Sequence, residues 1–138
     1  MQNECGKSLV DSNILVYLAD SEDAQRQELA LRWLRESANK IIFVSAQNLR
    51  EFAFRALIKS APPEKIIDFI DSFTAKFTVL QDDQLDTKNA IELCKGDSAL
   101  FWDASIVSVM KRNGIDCILT ENTKDFRTLG VKAINPLK

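Results

Sequence analysis

Four stretches of this chain place acids where chemistry could follow. They are Asp11 in LVDSNILVYLAD, Glu51 in SAQNLREF, Asp103 in ALFWDASIV, and Glu121 to Asp125 in ILTENTKDF. Asp11 interrupts an apolar run, with Ser12 and Asn13 beside it and no Gly or Pro to mark a turn. A carboxylate in a core-like setting is costly unless it is paired, hydrogen-bonded or bound to a cation. Asp103 raises the same problem in a nearly apolar context. Singly, each acid has a bland reading. Asp11 can be a turn or cap residue, Glu51 a solvated helix residue with Arg55 four positions on, and Asp103 a helix N-terminal acid favoured by the dipole. Together they fall at one end of the predicted elements. Clustered carboxylates cannot all stay ionised unless a cation joins them. The chain has no histidine, which removes His triads, His bases and His metal ligands. Oxygen-only ligation selects a hard divalent ion, Mg²⁺ or Mn²⁺, over zinc. Such an ion polarises a phosphodiester and activates the attacking water.

The elements that must position these acids alternate. Lys7–Asp11 reads as a short strand, and Ser12 or Asn13 can cap a helical turn over Ile14–Leu18. Residues 23–37 carry Leu29, Ala30, Trp33 and Leu34 at helical spacing. IIFVS, residues 41–45, reads as a buried parallel strand. Ser45 then caps a helix whose apolar stripe is Leu49, Phe52, Ala53, Ala56 and Leu57, with Glu51 off the stripe. Pro62 and Pro63 start a helix carrying Ile66, Ile67, Ile70 and Phe73. FTVL, residues 77–80, is a third strand. Thr87–Cys94 reads as a helix with Gly96 as its C-cap, and Leu100–Arg112 as another. Asp116–Thr120 and Val131–Ile134 read as the last strands, with ENTKD a turn by composition. This alternation means a parallel sheet covered on both faces, a three-layer α/β/α sandwich. In such folds function collects beyond the carboxyl ends of the strands.

Bulk properties narrow the setting. At 138 residues the chain is read as a single domain, residues 1–138. A net charge of −2 gives no global sign of a nucleic-acid binder, although local basic patches can coexist with it. Cys5, Cys94 and Cys117 are odd in number and lack CxxC spacing. No disulfide framework or zinc site is expected, a reducing cytosol is the easier compartment, and Cys94 and Cys117 read as small core residues. No signal peptide is visible, and no apolar stretch approaches the roughly 20 residues of a bilayer span. A cytoplasmic protein without membrane association is expected. Gly6-Lys7-Ser8 is not a phosphate loop, because it precedes the first strand and lacks the earlier Gly.

VDSNILVYL, the acid in SAQNLREF, FWDASIV and LTENTKDF, in that order across nearly the whole chain, resemble the PIN-domain ribonucleases, especially the VapC-like toxins of toxin–antitoxin pairs. The resemblance implies a five-stranded parallel sheet in the order 3-2-1-4-5 and a Mg²⁺- or Mn²⁺-dependent endoribonuclease. It also implies a small antitoxin partner and, commonly, a homodimer. Carried over by motif, Asp11, Glu51 and Asp103 are the catalytic and metal-holding acids. Ser12 donates near the bound phosphate or water, and Asn13 braces the Asp11 loop. At the fourth position the family pattern is Thr, any residue, Asp. Here Thr120-Glu121-Asn122 puts an amide in place of the acid. Asn122 can serve through its carbonyl oxygen, while Glu121 or Asp125 could substitute for the missing charge. Arg50, Arg55, Lys59, Lys111 and Arg112 are the candidate RNA contacts. Among the aromatics, Trp33 and Phe52 belong to core stripes, and Phe54 is the better candidate for an antitoxin or dimer contact. Two rival readings remain. A receiver-like phosphoryl acceptor needs paired acids at the first strand, where only Asp11 stands, and a Lys just after a late strand, where Lys124 is embedded in ENTKDF. An inactive PIN-like module would act by binding RNA or protein alone.

Overall fold

Short apolar runs with β-branched residues make the strands, and amphipathic segments between them make the helices. In the computed structural model, which describes residues 5–138, the order is β1 (Lys7–Val10), α1 (Ser12–Ala19), α2 (Ala24–Glu36), β2 (Ile41–Ser45), α3 (Ala46–Ile58), α4 (Pro63–Lys76) and β3 (Thr78–Leu80). There follow α5 (Gln84–Cys94), a 3-10 turn (Ser98–Leu100), α6 (Phe101–Arg112), β4 (Cys117–Leu119), α7 (Thr123–Thr128) and β5 (Lys132–Ile134). The strands pair in parallel in the order β3-β2-β1-β4-β5. This is the arrangement that the alternation and the family resemblance implied.

Alternation along the strands builds two cores, one on each face of the sheet. Leu9 and Ile118 face the side covered by α5, α6 and α7, where Val107, Met110 and Phe126 are fully buried. Val10, Val44 and Leu119 face α1 to α4, with Ile14, Leu15 and Phe52. Phe52 meets Phe73 edge-on with centroids 5.0 Å apart, tying α3 to α4. Trp33 packs against this second core from its rim.

β1 is central, and the chain leaves it first toward β2 and β3, then crosses back to β4 and β5. The carboxyl ends of β1 and β4 therefore flank the point where strand order reverses, the usual crevice of open parallel sheets.

Several local expectations are corrected. Asp11, rather than Ser12 or Asn13, caps α1, its side chain accepting from the Ser12 N–H. Helix α5 begins three residues earlier than Thr87, because Asp83 and Asp86 form a capping box. Its C-cap is Lys95, held in the left-handed region at φ 50°, not Gly96. The ENTKD stretch is not a simple turn, since Thr123–Thr128 forms α7. Cys5 and Cys117 are joined by a disulfide across the amino ends of β1 and β4, against the expectation of free thiols, and Cys94 alone is free. An odd count leaves one thiol over but does not prevent the other two from meeting. Among the described residues no helix is long and apolar enough to cross a membrane.

One buried ion pair clamps α5 to α6. Asp86 is 1% exposed and accepts from Arg112 Nη2 at 2.6 Å, Arg112 Nε at 3.2 Å and Ser108 Oγ at 2.8 Å. Burial pushes the Asp86 carboxyl up, but Arg112, Ser108 and the Asp83 N–H outweigh it and hold it below the ordinary carboxylate value. Removing one partner leaves a buried charge without compensation. Arg112→Met is therefore expected to lower unfolding stability by about 3 kcal/mol, the lower end for such pairs because water reaches the guanidinium. The double change Asp86→Leu/Arg112→Met is expected to recover part of that loss, since it removes the unpaired charge together with the capping box and the acceptor of Ser108. Urea unfolding midpoints check both; equal midpoints for wild type and Arg112→Met contradict the assignment.

Candidate functional site

Asp11 ends the central strand, and its backbone N–H extends the ladder by donating to Leu119 O at 2.9 Å. Its carboxylate is 6% exposed and accepts from Thr120 Oγ1 at 2.7 Å, the Ser12 N–H at 2.8 Å and Asn48 Nδ2 at 3.4 Å. Each donor arrives for a local reason. Thr120 follows β4, the neighbour of β1. Its Oγ1 also accepts from the Asn122 N–H at 2.9 Å and from Asn13 Nδ2 at 3.4 Å. Asn48 completes a capping box with Ser45 at the end of β2, where Ser45 Oγ donates to Asn48 Oδ1 at 2.7 Å. That contact fixes the amide oxygen and turns Nδ2 toward Asp11.

Helix α3 shows two faces. Leu49, Phe52, Ala53 and Ala56 pack toward the core, while Gln47, Glu51, Phe54 and Arg55, spaced at three and four, look the other way. Gln47 Nε2 donates to Glu51 Oε2 at 3.1 Å and to Trp102 O at 3.0 Å, linking α3 to the start of α6. One turn of α6 carries Asp103, whose Oδ2 accepts from Asn122 Nδ2 at 3.0 Å. The same nitrogen lies 3.2 Å from Asp125 Oδ2. Asp11, Ser12, Asn13, Glu51, Phe54, Arg55, Asp103 and Asn122 line one open cavity of about 340 Å³. It lies at the switch point of the sheet.

The electrostatics of this cavity are unfavourable as it stands. Burial pushes the Asp11 carboxyl up to about 6; the Thr120 and Ser12 hydrogen bonds oppose the shift and Glu51 adds to it. Asp103 is pushed up to about 7, first by burial and then by the negative charges of Asp11, Asp125 and Glu51. Asn13 Oδ1 is buried without a hydrogen-bond partner in the same wall. Acids destabilised by one another, an orphaned amide oxygen and an absence of His and Cys fit a hard cation. The acids are not, however, drawn into a ligand set. Among the described residues no three His, Cys, Asp or Glu side chains are grouped closely enough to hold an ion. Amides donate to these acids, Gln47 to Glu51 and Asn122 to Asp103. Asn122 accordingly turns its NH₂ group, rather than the expected carbonyl oxygen, to the acids.

The remaining predicted residues divide. Asp125 lies beside Asn122 at the edge of the cavity. Glu121 faces elsewhere: it accepts from Tyr17 Oη at 2.7 Å and Arg26 Nε at 2.8 Å. Burial raises its carboxyl, but those two contacts prevail and hold it low. Of the five cationic candidates, Arg55 lines the cavity. Arg50 pairs with Asp82 at 2.8 Å, and Lys59 pairs with Asp20 at 2.6 Å and with Glu22 at 2.8 Å. Lys111 lies against Gly130, and Arg112 serves Asp86. Asn48 and Gln47, both buried, went unread in the sequence. The Ser-x-x-Asn spacing after β2 was the signal for Asn48; nothing local marks Gln47.

Both raised carboxyls bind protons more tightly folded than unfolded, where the ordinary value is 3.8. Their contribution to stability is therefore present at low pH and is lost as pH rises through about 6 and 7. In chelator, wild type is expected to melt below Asp103→Asn near pH 8 and to converge with it near pH 4. Thermal melts across that range check the sign. A wild-type disadvantage that fails to shrink on acidification contradicts it.

The fold is shared with known proteins. The structure of the Mycobacterium tuberculosis VapC20 toxin, described as sarcin-ricin loop cleaving, superposes with a TM-score of 0.75 at 20% identity, covering 94% of this chain and 99% of that one. VapBC2 from Rickettsia felis, bound to a promoter DNA fragment, gives 0.67 at 19% identity over 94% and 98%. A toxin–antitoxin complex from Klebsiella pneumoniae gives 0.64 at 21% identity over 94% and 97%. At these identities the likeness establishes the fold. Comparison with curated proteins finds no match. The PIN domain family model matches residues 8–132, nearly the full length, and the chain belongs to the PIN domain family.

Proposed function

We propose that the chain is a divalent-metal-dependent endoribonuclease and the toxin half of a toxin–antitoxin pair. The observation that carries this reading is the placement of Asp11, Glu51 and Asp103 around one cavity at the switch point, two of them with carboxyls raised first by burial and further by neighbouring negative charge. These three acids would hold Mg²⁺ or Mn²⁺. When bound, the ion supplies Lewis-acid polarisation of a phosphodiester and offsets the charge that develops in the transition state.

The chain's own groups do the rest. Thr120 and Asn48 fix the Asp11 carboxylate, so that it presents one geometry. Ser12 Oγ, at the cavity wall, donates to a non-bridging phosphate oxygen. Asn122 holds Asp103 by Oδ2 and leaves Oδ1 to take the proton of an attacking water. Arg55, on the rim, contacts the RNA backbone. That structural neighbours are VapBC complexes supports an antitoxin partner, and a homodimer belongs to the same reading. The working compartment is the cytoplasm. There reduction of the Cys5–Cys117 bond acts at the amino end of β4, away from Thr120 and the acids.

A second reading is an inactive PIN module that binds RNA or protein. The observation favouring it is Asn122, whose amide rather than a carboxylate faces Asp103, together with the ungrouped acids. A mixed RNA pool with Mn²⁺ separates the two. Cleavage by wild type is expected, with a loss of about 100-fold or more in Asp11→Asn, consistent with several kcal/mol of charge stabilisation. Circular dichroism of the variant should be unchanged. Cleavage persisting in a clean Asp11→Asn preparation contradicts the site, and binding without cleavage by wild type favours the second reading.

A further inference from the structure

Glu121 stands between two residues that serve the acids. Thr120, before it, donates to Asp11 Oδ2 at 2.7 Å, and Asn122, after it, donates to Asp103 Oδ2 at 3.0 Å. The Glu121 carboxylate itself turns elsewhere and is held at both oxygens. Tyr17 Oη from α1 donates to Oε1 at 2.7 Å, and Arg26 Nε from α2 donates to Oε2 at 2.8 Å. The two donors also brace each other, since the Arg26 guanidinium carbon lies 5.6 Å from the centroid of the Tyr17 ring. Arg26 Nη1 donates in turn to Asp23 Oδ2 at 3.0 Å, and Asp23 caps α2. A lone ion pair with a half-exposed partner contributes little, whereas this triangle ties three elements together.

The loop between β4 and α7 has few other anchors. Asn122 begins α7 without a side-chain cap, its amide going to Asp103 and Asp125. Its backbone N–H rests on Thr120 Oγ1 at 2.9 Å. The other contact from the body of α1 to this loop, Asn13 Nδ2 to Thr120 Oγ1, is long at 3.4 Å. Ser12 and Asn13 of α1 and Asn122 of the loop all line the acid cavity, so the angle between helix and loop shapes it.

We propose that Glu121 is a positioning residue: clamped by Tyr17 and Arg26, it sets Thr120 and Asn122 against Asp11 and Asp103. The proposal rests on the ribonuclease reading and adds to it three residues that touch neither the ion nor the RNA. Groups that orient metal-holding side chains from behind commonly govern affinity and turnover by about tenfold or more. A tie needed only for cohesion could fall at any contact among α1, α2 and the loop. This one falls at the residue whose two neighbours each hold an acid.

Tyr17→Phe removes one donor without changing charge, and Glu121→Gln keeps the length of the acceptor. Both are compared with wild type and with the double variant. Isothermal titration gives the Mn²⁺ Kd, and cleavage of an oligoribonucleotide chosen from the RNA pool gives kcat and KM. In chelator, NMR follows solvent exchange of the Asn122 amides. Each single variant is expected to weaken Mn²⁺ binding about tenfold, to lower kcat about tenfold with KM within about twofold, and to quicken Asn122 exchange. The double variant should be no worse than Glu121→Gln, because Tyr17 acts through Glu121. Unchanged Mn²⁺ affinity and kcat in Tyr17→Phe overturn the proposal, since a loss in Glu121→Gln alone is explained by its charge. Additive losses in the double variant overturn it as well. If wild type binds Mn²⁺ and cleaves RNA, either of those results leaves the ribonuclease reading standing. If wild type neither binds Mn²⁺ nor cleaves, that reading fails and Asn122 exchange decides the positioning: quickened exchange in Tyr17→Phe supports it, and unchanged exchange overturns it.

Discussion

The constraint on which this molecule turns is a carboxylate buried at the end of its central strand. Asp11 cannot move to solvent, because its backbone N–H is part of the β1–β4 ladder and its side chain caps α1. Three donors from three different elements converge on it, yet none carries charge. Neutral hydrogen bonds reduce the penalty of a buried anion without removing it, and the carboxyl remains raised. Every neighbouring feature follows from that residual penalty: the Thr120 bracket, the Asn48 cap, and the tension with Glu51 and Asp103 across the cavity.

A parallel sheet is what brings such a site into being. Parallel strands end in register on one side, and the crossover from β3 back to β4 opens a crevice between their carboxyl ends. The residues just after β1, β2 and β4 are then neighbours although far apart in sequence. Asp11, Ser45 with Asn48, and Thr120 with Asn122 are those residues. The opposite end of the sheet carries the Cys5–Cys117 link and no part of the acid cavity. Stability elements such as Asp86 with Arg112 likewise sit away from it, so the cavity tolerates unfavourable charge while the rest of the domain supplies cohesion.

The strands and the cap at Ser45 were legible because β-branched runs and helix caps act locally, and the sheet order came with the family resemblance. The acids were legible because a carboxylate amid apolar residues contradicts its surroundings. What sequence could not disclose depends on which side chain reaches a distant partner. Glu121 and Asn122 are adjacent, yet one turns to Arg26 and the other to Asp103. Arg112 looks like any helix-end cation until α5 brings Asp86 against it. Gln47 acquires a role only when α6 places the Trp102 carbonyl and α3 places Glu51 within reach of one amide. The Cys5–Cys117 bond required knowing that β1 and β4 are neighbours.

The amides that hold Glu51 and Asp103 donate hydrogen bonds but bring no charge. If the acids of this cavity exist to hold a hard ion, Asp11, Glu51 and Asp103 would supply its carboxylate ligands. Isothermal titration of the chelator-stripped protein with Mn²⁺ near pH 7.5, repeated on Asp11→Asn, tests this most directly. The account predicts saturable binding to the wild-type chain that vanishes in the variant. Absence of binding to wild type, or equal binding to both proteins, would contradict it.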